Sequence, residues 1–326
     1  MRRFLTKRRL LIFAPGVAIL AAFLAVWLLW VGPGPTSEPT RIVITQGTSV
    51  TRVADQLAEA GAIRSAGGFR LFARMFGSRD PIQAGTVTIP AGASAARILD
   101  LLQHGRPVPQ LVVVPEGLAS VMVRDRLMAA PWLTGDVPVP EEGSVLPSTY
   151  SYQRGETRAA VLARMQRAMT AELARLWARR QPGIAVSSPR EAIILASIVE
   201  KETGKASERR LVAGVYSNRL RQGMRLQADP TVIYPVTQGR PLGRRILRSE
   251  LQADSGYNTY TRAGLPQGPI ANPGRESIAA VLNPASTRAL YFVADGTGGH
   301  VFANTLAEHN ANVERWRALR RSRGEM

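Results

Sequence analysis

The chain contains no cysteine and only three histidines among its 326 residues. The absence of cysteine excludes disulfide bonds, and it also excludes zinc and iron–sulfur sites built from thiolates. Three histidines (His104, His300 and His309) are little material for a histidine metal centre. We therefore expect no metal site and no cofactor, in a chain whose lack of thiols suits an oxidising compartment.

Acidic residues are also scarce, with 24 Asp and Glu against 42 Lys and Arg, for a formal net charge of +18. Such an excess attracts polyanions, whether nucleic acid, anionic lipid or an acidic polymer. Nucleic-acid-binding proteins usually cluster their charge and interleave it with aromatic residues. The arginines here are spread along the whole chain. We expect no nucleic-acid partner, and an arginine-rich solvated surface is the favoured explanation of the charge.

Charge is absent from residues 10–31, which consist mainly of Leu, Ile, Val, Ala, Phe and Trp. About 20 such residues suffice for a helix that spans a bilayer. Five basic residues precede this run, so the positive-inside rule leaves residues 1–9 in the cytoplasm. We predict a single-pass inner-membrane protein whose remainder is periplasmic, with Trp27 and Trp30 at the membrane interface. A cleaved signal peptide is the alternative, although Gly-Pro-Gly-Pro at 32–35 is a poor cleavage context.

Residues 32–40 are rich in Pro, Gly, Ser and Thr and predict a short linker. An internal repeat follows, in which a tetrapeptide that begins with Ile or Val ends in glycine at positions 47, 92 and 117. An apolar residue, an aspartate and a leucine follow each glycine at the same three offsets. This pattern predicts a strand, a glycine turn and an amphipathic helix in each copy. The first copy resembles the LysM-like fold, so we assign residues 41–148 to a LysM-like strand–helix module, whose role is either packing or carbohydrate binding.

From about Tyr150 the sequence changes to long helical patterns, and we assign residues 149–326 to one mainly helical domain. Long loops rich in Gly, Pro, Asn and Tyr are expected from Gln222 to Gly274. Loops of that length in a compact domain usually carry function. The predicted elements are helices over 157–180, 190–203, 207–221, 276–282 and 306–321 and a strand over 289–294. The predicted fold class is α+β.

One acidic residue interrupts an apolar helical face. At about 100° per residue, Glu202 lies in the middle of the stripe formed by Ile194, Leu195, Ile198 and Val199. The neighbouring Glu200 is predicted on the opposite, solvated side. A desolvated carboxyl has a raised pKa, which suits a general acid near neutral pH. The alternative is that the helix ends at Lys201 and Glu202 turns outward.

Several long motifs now identify a family. The segments Ala196-Ser-Ile-Val-Glu-Lys-Glu-Thr-Gly204, Arg225-Leu-Gln-Ala-Asp-Pro-Thr-Val-Ile-Tyr234 and Tyr257-Asn-Thr-Tyr260 closely resemble the YceG-like endolytic murein transglycosylases. Residues 264–274 and 291–300 also match, as do Glu142-Gly143 and Leu146-Pro-Ser-Thr-Tyr150. The resemblance covers nearly the whole chain, and it is weak over 130–190 and in the arginine-rich tail.

The resemblance implies a lyase that cuts the β-1,4 bond between N-acetylmuramic acid and N-acetylglucosamine within nascent peptidoglycan strands. The product would be a 1,6-anhydro-muramic acid end, and cleavage would limit strand elongation. Glu202, followed by Thr203, fits the family's catalytic acid. Ordinary glycosidases need two carboxylates, whereas in this reaction the C6 hydroxyl of the muramic acid would replace the second. If a second carboxylate does take part, Asp229, Glu276 and Asp295 are the candidates.

The same motifs supply residues that suit a sugar-binding groove, with Gln227, Tyr257 and Asn258 the strongest candidates. The full predicted set is Gln227, Tyr257, Asn258, Tyr260, Asn272, His300 and Asn304. Peptidoglycan strands and the inner membrane are the expected partners, with peptidoglycan synthases (penicillin-binding proteins) as further candidates. The alternatives are a catalytically silent, membrane-anchored scaffold that binds peptidoglycan and a membrane protein that binds polyanions through its charge.

Overall fold

The computed structural model describes residues 23–24, 26–45, 47–78, 80–105 and 110–324. The described chain forms two compact units. One comprises the residues up to Gln110 together with 153–155, and the other comprises 111–152 and the residues from Glu156 onwards. The predicted cytoplasmic segment 1–9 and most of the predicted anchor 10–31 lie outside the described residues. Within the described part, no helix combines the length and the apolar character that crossing a membrane requires.

The first unit packs three helices against a two-stranded sheet. Strands β1 (Thr40–Ile44) and β2 (Gly85–Ile89) pair antiparallel, with Thr40 opposite Ile89 and Ile44 opposite Gly85. Helices α1 (Val50–Glu59), α2 (Ala66–Phe76) and α3 (Ala95–His104) each begin after a serine whose side chain accepts a backbone N–H of the first turn. Such serine caps satisfy a donor that the helix itself leaves unpaired.

Two predictions about the start of this unit need correction. Trp30, expected at a membrane interface, is only 3% exposed and packs against the rings of Phe69 and Phe72 at 6.0 and 5.7 Å. The predicted linker 32–40 is also attached to the first unit and is not an independent tether, because Gly34 N–H donates to the Gly92 carbonyl at 3.1 Å. Large aromatic area and backbone hydrogen bonds tie this segment to its own unit.

The predicted repeat is confirmed to the residue. Each glycine has a left-handed φ of 77, 65 or 71° (Gly47, Gly92 and Gly117), a conformation that glycine adopts at no steric cost. The apolar positions of all three copies are fully buried (Val53, Leu57, Ile98, Leu102, Val123 and Leu127). The three aspartates expose 51, 48 and 47% of their side chains (Asp55, Asp100 and Asp125). One face of each helix is therefore buried and the opposite one solvated.

The third copy belongs to the second unit, so the boundary falls near residue 110 and not at the predicted 148. Its strand β3 (Gln110–Val114) pairs with β4 (Ser148–Tyr152). Its helix α4 (Ser120–Ala129) shares a hydrophobic core with α5 (Arg158–Ala178). Burial of the α4 face against α5 joins this copy to the helical part of the chain.

The core of the second unit is built by helices α6 (Pro189–Glu202), α7 (Arg209–Arg221) and α10 (Arg275–Leu282). A short 3₁₀ turn, Ala206–Glu208, joins α6 to α7. Their bounds differ from the predicted ones by two residues or fewer, because a continuous apolar stripe marks each helix.

The segment 222–274, predicted as loop, contains helices α8 (Asp229–Thr237) and α9 (Arg248–Gln252). Helix α8 carries proline in its first turn, where the missing N–H costs nothing. A hairpin of β5 (Tyr291–Ala294) and β6 (His300–Ala303) follows, and α11 (Leu306–Ser322) ends the described chain. The strand predicted over 289–294 therefore has a partner that the sequence did not indicate.

Candidate active site

Helix α6 is almost completely buried, from Ala192 to Val199, and it carries Glu202 at its last position. Thr203 follows in extended conformation, and its hydroxyl donates to the Val199 carbonyl at 2.6 Å. This bond satisfies one of the carbonyls that a helix end leaves without a partner. Glu202 is thus held within the helical turn, and the alternative of a helix that ends at Lys201 is wrong.

The Glu202 carboxyl is desolvated. Its Oε1 is buried and has no hydrogen-bond partner among the described residues. Burial and, to a lesser degree, the nearby Asp229 carboxylate raise the pKa of Glu202 to about 7, and the Arg219 cation opposes them. Burial raises a carboxyl pKa because it penalises the charged form. A carboxyl with this pKa can both give and take a proton near neutral pH.

Asp229 and Tyr260 lie beside Glu202. The Tyr260 hydroxyl donates to Oδ1 of Asp229 at 2.5 Å. Burial and the Asp229 hydrogen bond raise the pKa of Tyr260, so its hydroxyl stays protonated and can donate. Tyr216 is fully buried, and burial together with the nearby Glu202 raises the pKa of Tyr216 well above its usual value. Two neutral phenols and one carboxylate thus surround the buried acid.

Two threonines bring two of the sequence motifs together. The hydroxyls of Thr231 and Thr259 are 2.8 Å apart and both side chains are buried. Thr259 also accepts backbone N–H groups, from Gln227 at its carbonyl (3.1 Å) and from Ala228 at its hydroxyl (3.0 Å). Gln227 itself is exposed and has a left-handed φ of 53°. Such a backbone is uncommon for a residue with a side chain and often marks functional sites.

Arg219 is a buried cation that the sequence analysis missed. It is 8% exposed and donates through Nε to the Leu290 carbonyl at 2.6 Å and through a terminal nitrogen to the Leu226 carbonyl at 2.8 Å. Its guanidinium also lies over the Tyr291 ring at 5.1 Å. Arg219 therefore joins α7, the segment before α8 and the hairpin around the site. In a chain with so many arginines, no local signal distinguishes this one.

Glu200 corrects a prediction. Expected on a solvated face, its side chain is only 7% exposed. Its Oε2 accepts the Gly274 N–H at 2.8 Å, and its Oε1 lies 3.9 Å from Arg209. Gly274 precedes α10, and a carboxylate at a helix start is stabilised by the unpaired N–H groups there.

Two residues predicted as sugar contacts, Asn258 and Asn272, connect loops through their side-chain amides. Asn258 is 2% exposed, and its amide donates to three backbone carbonyls of residues 250–253 and accepts from Tyr260 N–H. Asn272 is fully buried, accepts Val145 N–H at 2.9 Å and donates to the Leu118 carbonyl at 2.9 Å. Both amides use their hydrogen-bonding capacity within the protein, which leaves little for a ligand.

Three other residues predicted as sugar contacts, Tyr257, His300 and Asn304, form no hydrogen bond or ion pair with Glu202 in the described structure. Tyr257 packs its ring against that of Tyr234 at 4.9 Å. His300 is part-buried, with Nδ1 2.8 Å from Oε2 of Glu208 in the 3₁₀ turn. Asn304 is exposed at the start of the loop before α11.

Of the three carboxylates considered as a second catalytic group, only Asp229 affects Glu202. Glu276 exposes 60% of its side chain and lies 3.8 Å from Arg275. Asp295 accepts N–H groups of the hairpin turn from Thr297 and Gly299, and these bonds lower its pKa.

Comparisons with known proteins place the chain in a family. The profile of the YceG-like family matches residues 42–315. Among characterised relatives, the endolytic murein transglycosylase of Bacillus subtilis strain 168 is 36% identical over 177 residues, which are 54% of this chain and 48% of that protein. The protein of the same name from Streptococcus pneumoniae strain D39 is 29% identical over 320 residues, 83% of this chain and 57% of that protein. This chain thus spans about half the length of these relatives.

A solved structure extends the likeness to the fold. A YceG-like protein from Listeria monocytogenes superimposes with a TM-score of 0.56 at 26% identity, covering 84% of this chain and 98% of that one. The family profile covers well over half of the chain, including the segments around Glu202, Asp229 and Tyr260. The chain belongs to the YceG-like family.

Proposed function

We propose that this chain is an endolytic murein transglycosylase, a lyase that cleaves peptidoglycan strands without water, and that Glu202 is its acid and base. The observation that carries the proposal is the buried Glu202 carboxyl, with an unpartnered Oε1 and a pKa raised to about 7. The names of the related proteins from Bacillus subtilis and Streptococcus pneumoniae support the reaction class.

One carboxyl suffices for the chemistry. Protonated Glu202 gives its proton to the glycosidic oxygen between muramic acid and glucosamine, and the bond from that oxygen to C1 breaks. The C6 hydroxyl of the same muramic acid forms a new bond to C1 and passes its proton to the Glu202 carboxylate. The products are a 1,6-anhydro end and a new glucosamine hydroxyl, and Glu202 is protonated again. An intramolecular hydroxyl replaces the second carboxylate of ordinary glycosidases.

Asp229 and Tyr260 suit this cycle as the neighbours of Glu202. The Asp229 charge favours the protonated acid before cleavage, and it also favours positive charge developing at C1. The protonated Tyr260 hydroxyl holds the Asp229 carboxylate in place at 2.5 Å. Exposed Gln227 and part-exposed Tyr257 are available to sugar hydroxyls and rings, whereas Asn258 and Asn272 shape the loops. His300 and Asn304 stay predictions as substrate contacts.

The enzyme would act in the periplasm, tethered by residues 10–31 to the inner membrane, where nascent strands emerge and synthases work. The described helical residues at the end of this run support the tether. Leu28, Leu29 and Val31 expose 57, 55 and 41% of their surface, which is unusual for clustered apolar residues outside an interface. The strand–helix repeats of the first unit would serve as a LysM-like module that packs against or binds glycan.

Product analysis tests the reaction. The full chain in detergent is incubated with uncrosslinked glycan strands, and the products are identified by mass, with Glu202→Gln in parallel. Internal fragments with anhydro-muramic ends, absent from the variant, are expected. Reducing ends would indicate a hydrolase and contradict the proposal. Binding without any cleavage would instead favour the scaffold alternative.

A further inference from the structure

A concavity of the second unit lies next to the buried acid and has no part in the cycle described above. It has a volume of about 470 Å³ and opens between the turn after β3, the C-terminal end of α6 and helix α8. Its walls are mainly apolar (Leu118, Met122, Ile233, Tyr234, Leu242 and Ile270). This volume lies within the range of pockets that bind small ligands.

The backbone connects this cavity to the proposed site at two points. Lys201 lines the cavity and immediately precedes Glu202, and Pro230 lines it and immediately follows Asp229. Consecutive α-carbons are about 3.8 Å apart. Consecutive helical side chains diverge by about 100°, so Glu202 turns to the core while Lys201 turns to the cavity. A substrate whose sugar contacts Glu202 can therefore place a substituent against Lys201.

The charges at the rim are of both signs. Lys201 is exposed, and no carboxylate in the described chain forms an ion pair with it. Its aliphatic stem lies near Gly117, where an added Cβ would come within 3.5 Å of Lys201 Cδ. Arg240 is paired with Asp125 at 2.6 Å and is less available. Glu116 also lines the cavity, keeps 47% of its side chain exposed and lies 3.8 Å from Arg209.

We infer that this cavity binds the peptide stem of the muramic acid at the scissile bond. The inference rests on the proposed function, since it names the part of the peptidoglycan that the cavity recognises. The stem is a short peptide joined to the sugar through a lactoyl group, with alanine methyls, free carboxylates and an amine on its diamino acid. The apolar walls receive the methyls, Lys201 pairs with a carboxylate, and Glu116 faces the amine.

The consequence is a preference for strands that still carry their stems. Glucosamine carries no stem, so occupation of this cavity also fixes which sugar of the repeat lies at Glu202. The cavity therefore selects both the register of the strand and its state of processing.

Paired substrates test the inference. The full chain in detergent is assayed on uncrosslinked strands with intact stems and on the same strands after an amidase has removed them, and kcat and KM are measured for both. The wild type should have a higher kcat/KM on stem-bearing strands. Lys201→Ala should reduce the ratio of the two kcat/KM values about fivefold, mainly through KM, as expected for one partly exposed charged contact.

Two further variants sharpen the test. Lys201→Glu should reduce the ratio more than Lys201→Ala, because it places like charges together. Arg167→Ala, which removes an exposed cation on α5, should leave the ratio unchanged. Thermal unfolding of each variant confirms that the exposed substitutions preserve the fold.

The outcomes separate the two proposals. Anhydro products from neither substrate would overturn the proposed function itself. Anhydro products with equal kcat/KM on both substrates, or an unchanged ratio in Lys201→Ala and Lys201→Glu, would overturn the stem inference and leave the proposed function standing.

Discussion

Glu200 and Glu202 both lie at the C-terminal end of helix α6, but the Glu200 carboxyl has hydrogen-bond and ion-pair partners, whereas Oε1 of Glu202 has none in the described chain. Glu200 is paired: its Oε2 accepts Gly274 N–H at 2.8 Å, and Arg209 lies 3.9 Å from its Oε1. Glu202 has a buried Oε1 with no partner in the described chain and a pKa raised to about 7. Unpaired buried carboxyls are costly, so their retention usually reflects a chemical role.

This contrast gives the first prediction. Glu202→Gln should lower kcat by at least about 10³-fold, because loss of the general acid leaves the leaving oxygen unprotonated. Glu200→Ala is the matched control: it should retain most of the activity but lower stability by about 2 kcal/mol, since it removes a buried hydrogen-bonded charge. Release of anhydro products and thermal unfolding measure the two effects. An equal loss of activity in both variants would contradict the assignment of Glu202, and not Glu200, as the general acid.

The pKa of Glu202 predicts a pH dependence of stability. The folded protein holds this proton more tightly than the unfolded chain, so stability falls as pH rises from about 4.5 to about 7 and is level above. The difference corresponds to a cost of about 3 kcal/mol above pH 7. Glu202→Gln should therefore be more stable than the wild type at pH 8, and this advantage should disappear at pH 4. Unfolding midpoints of both proteins across this range provide the measurement; a constant difference would argue against a titrating Glu202.

Asp229 should contribute to the alkaline limit of activity. For the wild type, kcat/KM should fall above about pH 7, as Glu202 loses its proton. Asp229→Asn removes the like charge that helps to raise the Glu202 pKa. The kcat/KM of this variant should therefore begin to fall at a lower pH than that of the wild type. Tyr260→Phe keeps that charge but removes the 2.5 Å hydrogen bond, and should lower kcat without the same displacement. A profile of Asp229→Asn that coincides with the wild type would refute the coupling.

Arg219 should affect both the stability of the fold and the pKa of Glu202. Arg219→Met leaves the Leu226 and Leu290 carbonyls without their donors, and we expect a loss of about 3 kcal/mol. Because the Arg219 cation lowers the pKa of Glu202, the alkaline limb of the activity profile should move to higher pH in this variant. Arg167→Met, at an exposed position, should change stability by less than about 0.5 kcal/mol. Thermal unfolding and the pH profile of kcat/KM measure both effects.

The absence of cysteine makes the proposed topology easy to test. A single cysteine introduced at Asp55, whose side chain is 51% exposed, should react in intact bacterial cells with a maleimide that passes the outer but not the inner membrane. A cysteine at Arg3 should react only after the inner membrane is broken. Labelling at Arg3 in intact cells would reverse the proposed orientation, and extraction of the protein by carbonate would argue against the anchor.

The sequence alone predicts which face of each helix is buried, because that depends only on the spacing of apolar residues along the chain. The spacing of Val53 and Leu57 after Gly47 recurs twice more and fixes which face of each helix is buried. The apolar stripe of α6 likewise fixes the direction of Glu202. In both cases the helical period relates neighbours along the chain, and no distant residue is needed.

Tertiary structure decided what depends on distant partners. Glu200 was expected in solvent because the sequence cannot show that Gly274, more than seventy residues later, brings a helix start to it. The sequence predicts Asn258 and Asn272 as sugar contacts, and only the fold shows the backbone carbonyls to which their amides donate. Arg219 gave no signal at all. Whether a polar side chain binds a ligand or holds a loop depends on which backbone groups the fold places around it, because a buried polar group must find a partner wherever the fold provides one.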